Sequence, residues 1–162
     1  MDDFVPLESE AVKDKVPYLE DARADYAPYY QPVNQTIAKA KNAIIAEMGK
    51  LGGTVLDFEE GNFGNRRGYV IRFVLNGKPG RIKVAGLPLK KFTPLKMDRV
   101  RIQALMNIRD WLKTAVTSMI FSPGNNPLVP HLLGKGGITL VELISEHNGI
   151  DIPLLEGEIV KD

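Results

Sequence analysis

The chain has 162 residues, 44% of them hydrophobic and 25% charged, and a net charge of +1. That is enough for one domain with a core of its own, and the absence of cysteine excludes disulfides and thiolate metal sites. No apolar run approaches the length of a membrane span, and the acidic N-terminus "MDDFVPLESE" lacks the apolar core of a secretory signal, so a cytoplasmic protein is expected.

The small net charge hides a division along the chain. Residues 66–113 carry 13 Lys/Arg against 2 Asp/Glu, while residues 1–65 carry 6 against 12 and residues 114–162 carry 2 against 6. Such a split points to a polyanion partner, or to acidic segments that fold back on a basic surface.

Residues 1–33 read as an acidic arm, broken by Pro6, Pro17, Pro28 and Pro32. Tyr18, Tyr26, Tyr29 and Tyr30 need a surface to bury against, so the arm is expected on its own domain or on a neighbouring subunit. The remainder, 34–162, reads as a single domain. A helix is expected from about Gln35 to Leu51, capped by Asn34, with Ile37, Ala40, Ile44, Met48 and Leu51 on one face and Gly52-Gly53 as the stop. Three strands follow: "TVLDFEE" (54–60), "GYVIRFVL" (68–75) and "RIKVAGL" (81–87).

In the second strand Tyr69, Ile71, Phe73 and Leu75 share one face, and Val70, Arg72 and Val74 the other. In the third, Ile82 and Val84 alternate with Arg81 and Lys83. Asn76-Gly77 is a strong hairpin signal. Only loops of two or four residues place Ile82 and Val84 on the face of Ile71 and Phe73, so the loop is expected to be even. Arg72 then faces Arg81 or Lys83. Pro79 cannot donate to a ladder, which puts its end of the strand on an edge or in the loop.

A long helix is expected from Pro94 to about Phe121, with Thr93 as its cap. Val100, Ala104, Ile108, Trp111, Ala115 and Met119 form its apolar arc, and Lys96, Arg99, Gln103, Asp110 and Lys113 the opposite one. Arg101 falls inside the apolar arc and needs a carboxylate, for which an acid of the arm is the expectation. A third helix, Thr139 to His147, opens with the Thr139/Glu142 spacing of a capping box. The expected class is therefore α+β: a three-stranded antiparallel sheet with helices packed on one face, in the order α-β-β-β-α-α.

That order, with a basic turn leading into the long helix, resembles the double-stranded-RNA-binding-domain fold over roughly residues 35–121. Lys90, Lys91 and Lys96 loosely match that family's lysine-rich signature at the start of its second helix. The order is also similar to the first part of restriction-endonuclease-like cores, but "RIKV" has arginine where their second acid belongs, so a metal-dependent nuclease is not expected. The chain further has the general look of small phage and mobile-element proteins.

No catalytic constellation emerges. His131 and His147 lack a metal-spaced companion. As acid/base groups Glu59-Glu60 read as a solvated strand end; as neighbours of the basic row, they or the acids of the arm are candidates to pair with it. "GNFGNRRG" (61–68) contains a G-x-x-G but joins strands rather than helices, and "GKGG" (134–137) lacks the spacing of a phosphate loop. Neither enzyme activity nor a cofactor nor a metal is expected.

The best functional signal is the basic hairpin. Opposed like charges destabilise a sheet unless something neutralises them. The expectation is a nucleic-acid-binding or accessory protein that contacts phosphate through Arg66, Arg67, Arg72, Arg81, Lys83, Lys90 and Lys91. The alternative is an interaction or self-assembly module, in which the basic face receives an acidic segment such as the arm, in the same chain or in a homo-oligomer.

Overall fold

The computed structural model describes residues 16–22 and 35–146. Expectations for Tyr26, Tyr29, Tyr30, Asn34, His147 and the tail beyond it lie outside the described residues. The first α-helix, α1, spans Ile37–Lys50, and Thr36 caps it by accepting the Lys39 N–H at 3.1 Å. The helix thus starts about two residues later than expected, because Thr36 holds extended backbone and supplies the cap oxygen. Gly52, at φ 85°, ends it.

Three antiparallel strands follow in the spatial order β1-β2-β3: β1 Gly53–Phe63, β2 Arg66–Leu75 and β3 Lys78–Ala85. The β2–β3 turn is Asn76-Gly77 alone, with φ of 52° and 76° at its two residues. The loop is even, as face matching requires, and the shorter of the two allowed lengths. That is why β3 begins at Lys78 and not at Arg81. The β1–β2 turn, Gly64-Asn65, is equally short, so "GNFGNRRG" is the tip of a hairpin.

Tyr69, Ile71, Phe73, Leu75, Ile82 and Val84 are buried under α1 and the second α-helix, α2, which spans Pro94–Phe121. Thr93 caps α2 by accepting the Lys96 N–H, with Pro94 opening the helix. The buried arc of α2 is wider than the apolar period implies: Ile102, Leu105, Met106 and Leu112 are buried as well, since the helix meets both α1 and the sheet. Gln103, expected on the solvent side, is buried, and its side-chain oxygen accepts the Leu87 N–H at 2.8 Å. A polar residue is tolerated there because it satisfies a backbone donor just past the end of β3.

The third α-helix, α3 (Leu140–Glu146), has the expected capping box. The Glu142 N–H donates to Thr139 Oγ1 at 3.0 Å, and the Thr139 N–H to Glu142 Oε1 at 3.2 Å. The segment before it closes the outer edge of β3. Gly80 bridges Leu132, and the Leu133 N–H donates to the Pro79 carbonyl at 2.9 Å. Pro79 thus sits on an edge strand, as expected. Gly80 permits this close approach, because a Cβ there would overlap the Phe73 ring and the His131 carbonyl oxygen. His131 packs edge-on against Trp111, with ring centroids 5.2 Å apart, and burial pushes its pKa down. Among the described residues the outer edge of β1 has no partner strand.

Candidate interaction surface

Arg72 and Arg81 stand directly opposite each other on the sheet face away from α1 and α2. Their neutralisation begins in β1. The register slips between Val55 and Asp57, so Leu56 is an extra residue. An unbroken ladder would oppose Leu56 to Arg72 and turn Asp57 toward the core face. The bulge instead pairs Asp57 with Arg72 and Phe58 with Ile71. Asp57 and Glu59 thereby reach the outer face. Arg72 Nη1 lies 3.2 Å from Asp57, and Nη2 bonds Glu59. Leu56 is left 59% exposed.

Arg81 is neutralised from the other side. Its Nε and Nη2 donate to the two carboxylate oxygens of Glu142 at 2.6 and 2.7 Å, a bidentate fork. Lys83 Nζ lies 3.3 Å from the same carboxylate. Glu142 is thus both the capping residue of α3 and the counter-ion of β3. The Arg81 guanidinium holds its carboxyl down at about 2, against the opposing effect of burial and with help from the Thr139 N–H and Lys83.

Arg66 and Arg67, expected at the tip of the first hairpin as phosphate ligands, serve the fold. Arg66 Nε and Nη2 donate to the carbonyls of Gly86 and Ala85 at 2.8 and 3.0 Å, tying β2 to the end of β3. Arg67 faces the α2 side and lies 3.4 Å from Glu60. Glu60 also accepts from Arg101 Nε at 2.9 Å, and Arg101 Nη1 reaches Asp98 at 2.9 Å. Arg101 therefore finds its carboxylates on β1 and on its own helix; no acid of residues 16–22 is among them. Burial and the charge of Glu60 push the Tyr69 hydroxyl up to about 12.

The acidic segment appears at Lys90, Lys91 and Lys96. Leu19–Asp21 forms a single 3-10 turn. Leu19 is buried against Leu89 and Val100, with Leu87 and Met97 packed around them, and its N–H donates to the Pro88 carbonyl at 2.8 Å. One Glu20 oxygen accepts the Lys90 N–H at 3.0 Å. The other accepts the Lys91 N–H and the Lys96 ammonium, both at 3.1 Å. Burial alone would raise the Glu20 carboxyl; these donors, with its own N–H, outweigh that and hold it at about 2. Lys90 Nζ lies 2.7 Å from Asp21 and sits over the Tyr18 ring at 5.7 Å.

The seven residues expected to bind phosphate do not form one open surface. Arg72, Arg81 and Lys83 share the outer face, each against a carboxylate. Arg66 bonds backbone carbonyls, Arg67 faces Glu60, and Lys90 and Lys91 hold the acidic turn through their amides and the Lys90 ammonium. Among the described residues no helix is long and apolar enough to cross a membrane.

Leu19 and Glu20 are partners that sequence reasoning does not single out, and it reads Glu142 only as a capping residue. The available signal for the first two is an apolar residue two positions after Pro17, followed at once by two acids. Comparison with protein-family models, with curated proteins and with solved structures finds no match in any of the three. The likeness to the double-stranded-RNA-binding fold therefore rests on element order alone.

Proposed function

We propose that this chain is a non-enzymatic interaction module whose receptor site, built by the 86–93 loop and the first turn of α2, takes a short acidic segment with a leucine anchor. The observation that carries this reading is Glu20. Its carboxylate meets two consecutive backbone N–H groups and one ammonium, while the preceding Leu19 fills an apolar seat. An apolar anchor beside a carboxylate on fixed amides is the way a linear peptide is recognised. Residues 16–22 fill the site from the same chain. A second copy carries the same leucine and carboxylate, so the site can also take this segment from another chain.

The phosphate-backbone reading competes for the same cations. To be occupied by nucleic acid, Lys90 and Lys96 would have to release Asp21 and Glu20, and Arg72 and Arg81 their carboxylates. A full-length Leu19→Asp chain, which expels the anchor, separates the two. The interaction reading expects it to bind a synthetic peptide of residues 16–22 saturably, while the parent chain, already filled, does not. Light scattering should register any accompanying change of assembly state. If the variant instead ignores the peptide but gains salt-sensitive affinity for nucleic acid, the acidic turn is an inhibitor of phosphate binding and the interaction reading fails.

A further inference from the structure

Beside the seat of Leu19 lies a second cleft of about 220 Å³, between the tip of the β1–β2 hairpin and the start of α2. One wall is apolar, formed by Leu87, Leu89, Met97 and Val100, and Phe92 forms the lip. The rest of the lining is polar: Asn62, Asn65 and Arg67, beside Gly64. We infer that this cleft is a binding site for a small heteroaromatic molecule with hydrogen-bonding groups on its edge, of the nucleobase kind.

Four observations converge. First, Phe92 is 67% exposed, although it stands in a loop anchored on both sides, by Lys91 on Glu20 and by the Thr93 cap. An aromatic ring held in water at the rim of a cleft offers a stacking face. Second, Met97 lines the same cleft, and thioethers pack well on aromatic rings. Third, the side-chain amides of Asn62 and Asn65 make no hydrogen bond among the described residues and supply paired donors and acceptors to a ring edge. Fourth, Arg67 Nε is sealed from solvent and has no acceptor. Burying such a donor unsatisfied is costly, and an incoming ring nitrogen or carbonyl would relieve it after a small side-chain shift.

The charge balance selects a neutral ligand. Arg67 and Arg101 are offset by Glu60 and Asp98, so the site does not call for an anion. The size selects a single ring system, since the cleft falls below the usual range for larger ligands, about 300–1,000 Å³. Both features distinguish it from the neighbouring Glu20 site, which is cationic and already filled. Leu87, Leu89, Met97 and Val100 line the cleft and also pack around Leu19, and Phe92 stands in the loop that carries the Glu20 site, but Asn62 and Asn65 belong to the cleft and not to that site. The asparagine pair lies outside the acidic-segment site, so its effect on ligand affinity separates this inference from that reading.

The test is a calorimetric or NMR titration of the full chain with adenosine, guanosine, cytidine and uridine. Benzyl alcohol serves as a ring without the edge pattern. Phe92→Ala and the Asn62→Ala/Asn65→Ala pair are the variants; all three residues are exposed, so the fold is retained. We expect saturable binding of at least one nucleoside, weakened roughly tenfold or more by Phe92→Ala, the size of a lost stacking partner, and weakened also by the asparagine pair. The inference is overturned if no nucleoside binds saturably, if benzyl alcohol binds equally well, or if neither variant changes the affinity.

Discussion

Glu142→Gln removes one negative charge while keeping the shape of the side chain, and its effect can be worked out from the geometry. The carboxylate accepts two short bonds from Arg81, lies near Lys83, and accepts the Thr139 N–H. Charged hydrogen bonds of this kind contribute about 1.5–3 kcal/mol. A second route starts from the carboxyl pKa, held at about 2 rather than 4.5. At about 1.4 kcal/mol per unit that sets a ceiling of roughly 3.4 kcal/mol. Solvent screening of the partly exposed pair cuts it to about 2 kcal/mol. The routes agree, and the amide also leaves Arg81 facing Arg72 without a full counter-charge. The carboxyl is depressed in the folded state, so its contribution is complete above pH 4.5 and disappears as pH falls toward 2. Urea unfolding of the parent and variant chains at neutral and strongly acidic pH is the assay. The variant should lose about 2 kcal/mol at pH 7 and little near pH 2. A variant within about 0.5 kcal/mol of the parent at pH 7, or equally weakened at both pH values, would refute the reasoning.

Deleting Leu56 should be tolerated, because the pairs Val55–Phe73 and Asp57–Arg72 already flank it; chemical denaturation should show a change of no more than about 1 kcal/mol. Gly68→Ala should cost about 3 kcal/mol or more in thermal unfolding, because a Cβ there overlaps the Val84 carbonyl oxygen. Tyr69 should ionise near pH 12, and Tyr69→Phe should remove that step from a phenolate absorbance titration. Raising the pH from about 10 toward 12 should progressively weaken the fold, since the group is held neutral in the folded state.

The parts of the fold legible in the sequence are those set by local rules. Alternation in 69–75 fixed the buried face of β2, and Asn76-Gly77 with an even loop brought Arg72 opposite Arg81. Thr93-Pro94 and the Thr139/Glu142 spacing marked two helix starts correctly. What escaped depends on elements distant in the chain. The bulge at Leu56 has no local signature in "TVLDFEE", yet it decides that Asp57 meets Arg72 and not the core. Glu142 and Arg81 lie 61 positions apart, and Glu20 and Lys96 lie 76 apart. Counting charges revealed that the basic block needed partners. Glu59 and the acids of the arm are legible as candidates, while Asp57 and Glu142 emerge only from the fold.

The unequal edges of the sheet bear on how copies of the molecule behave in a crowd. Among the described residues, the start of the β3 edge is covered by the chain's own Leu132 and Leu133, whereas the outer edge of β1 has no partner strand. There the extra Leu56 spoils the even spacing a foreign strand must match, and Asp57 and Glu59 repel any second β1 laid against it. This is protection against amyloid-like zippering.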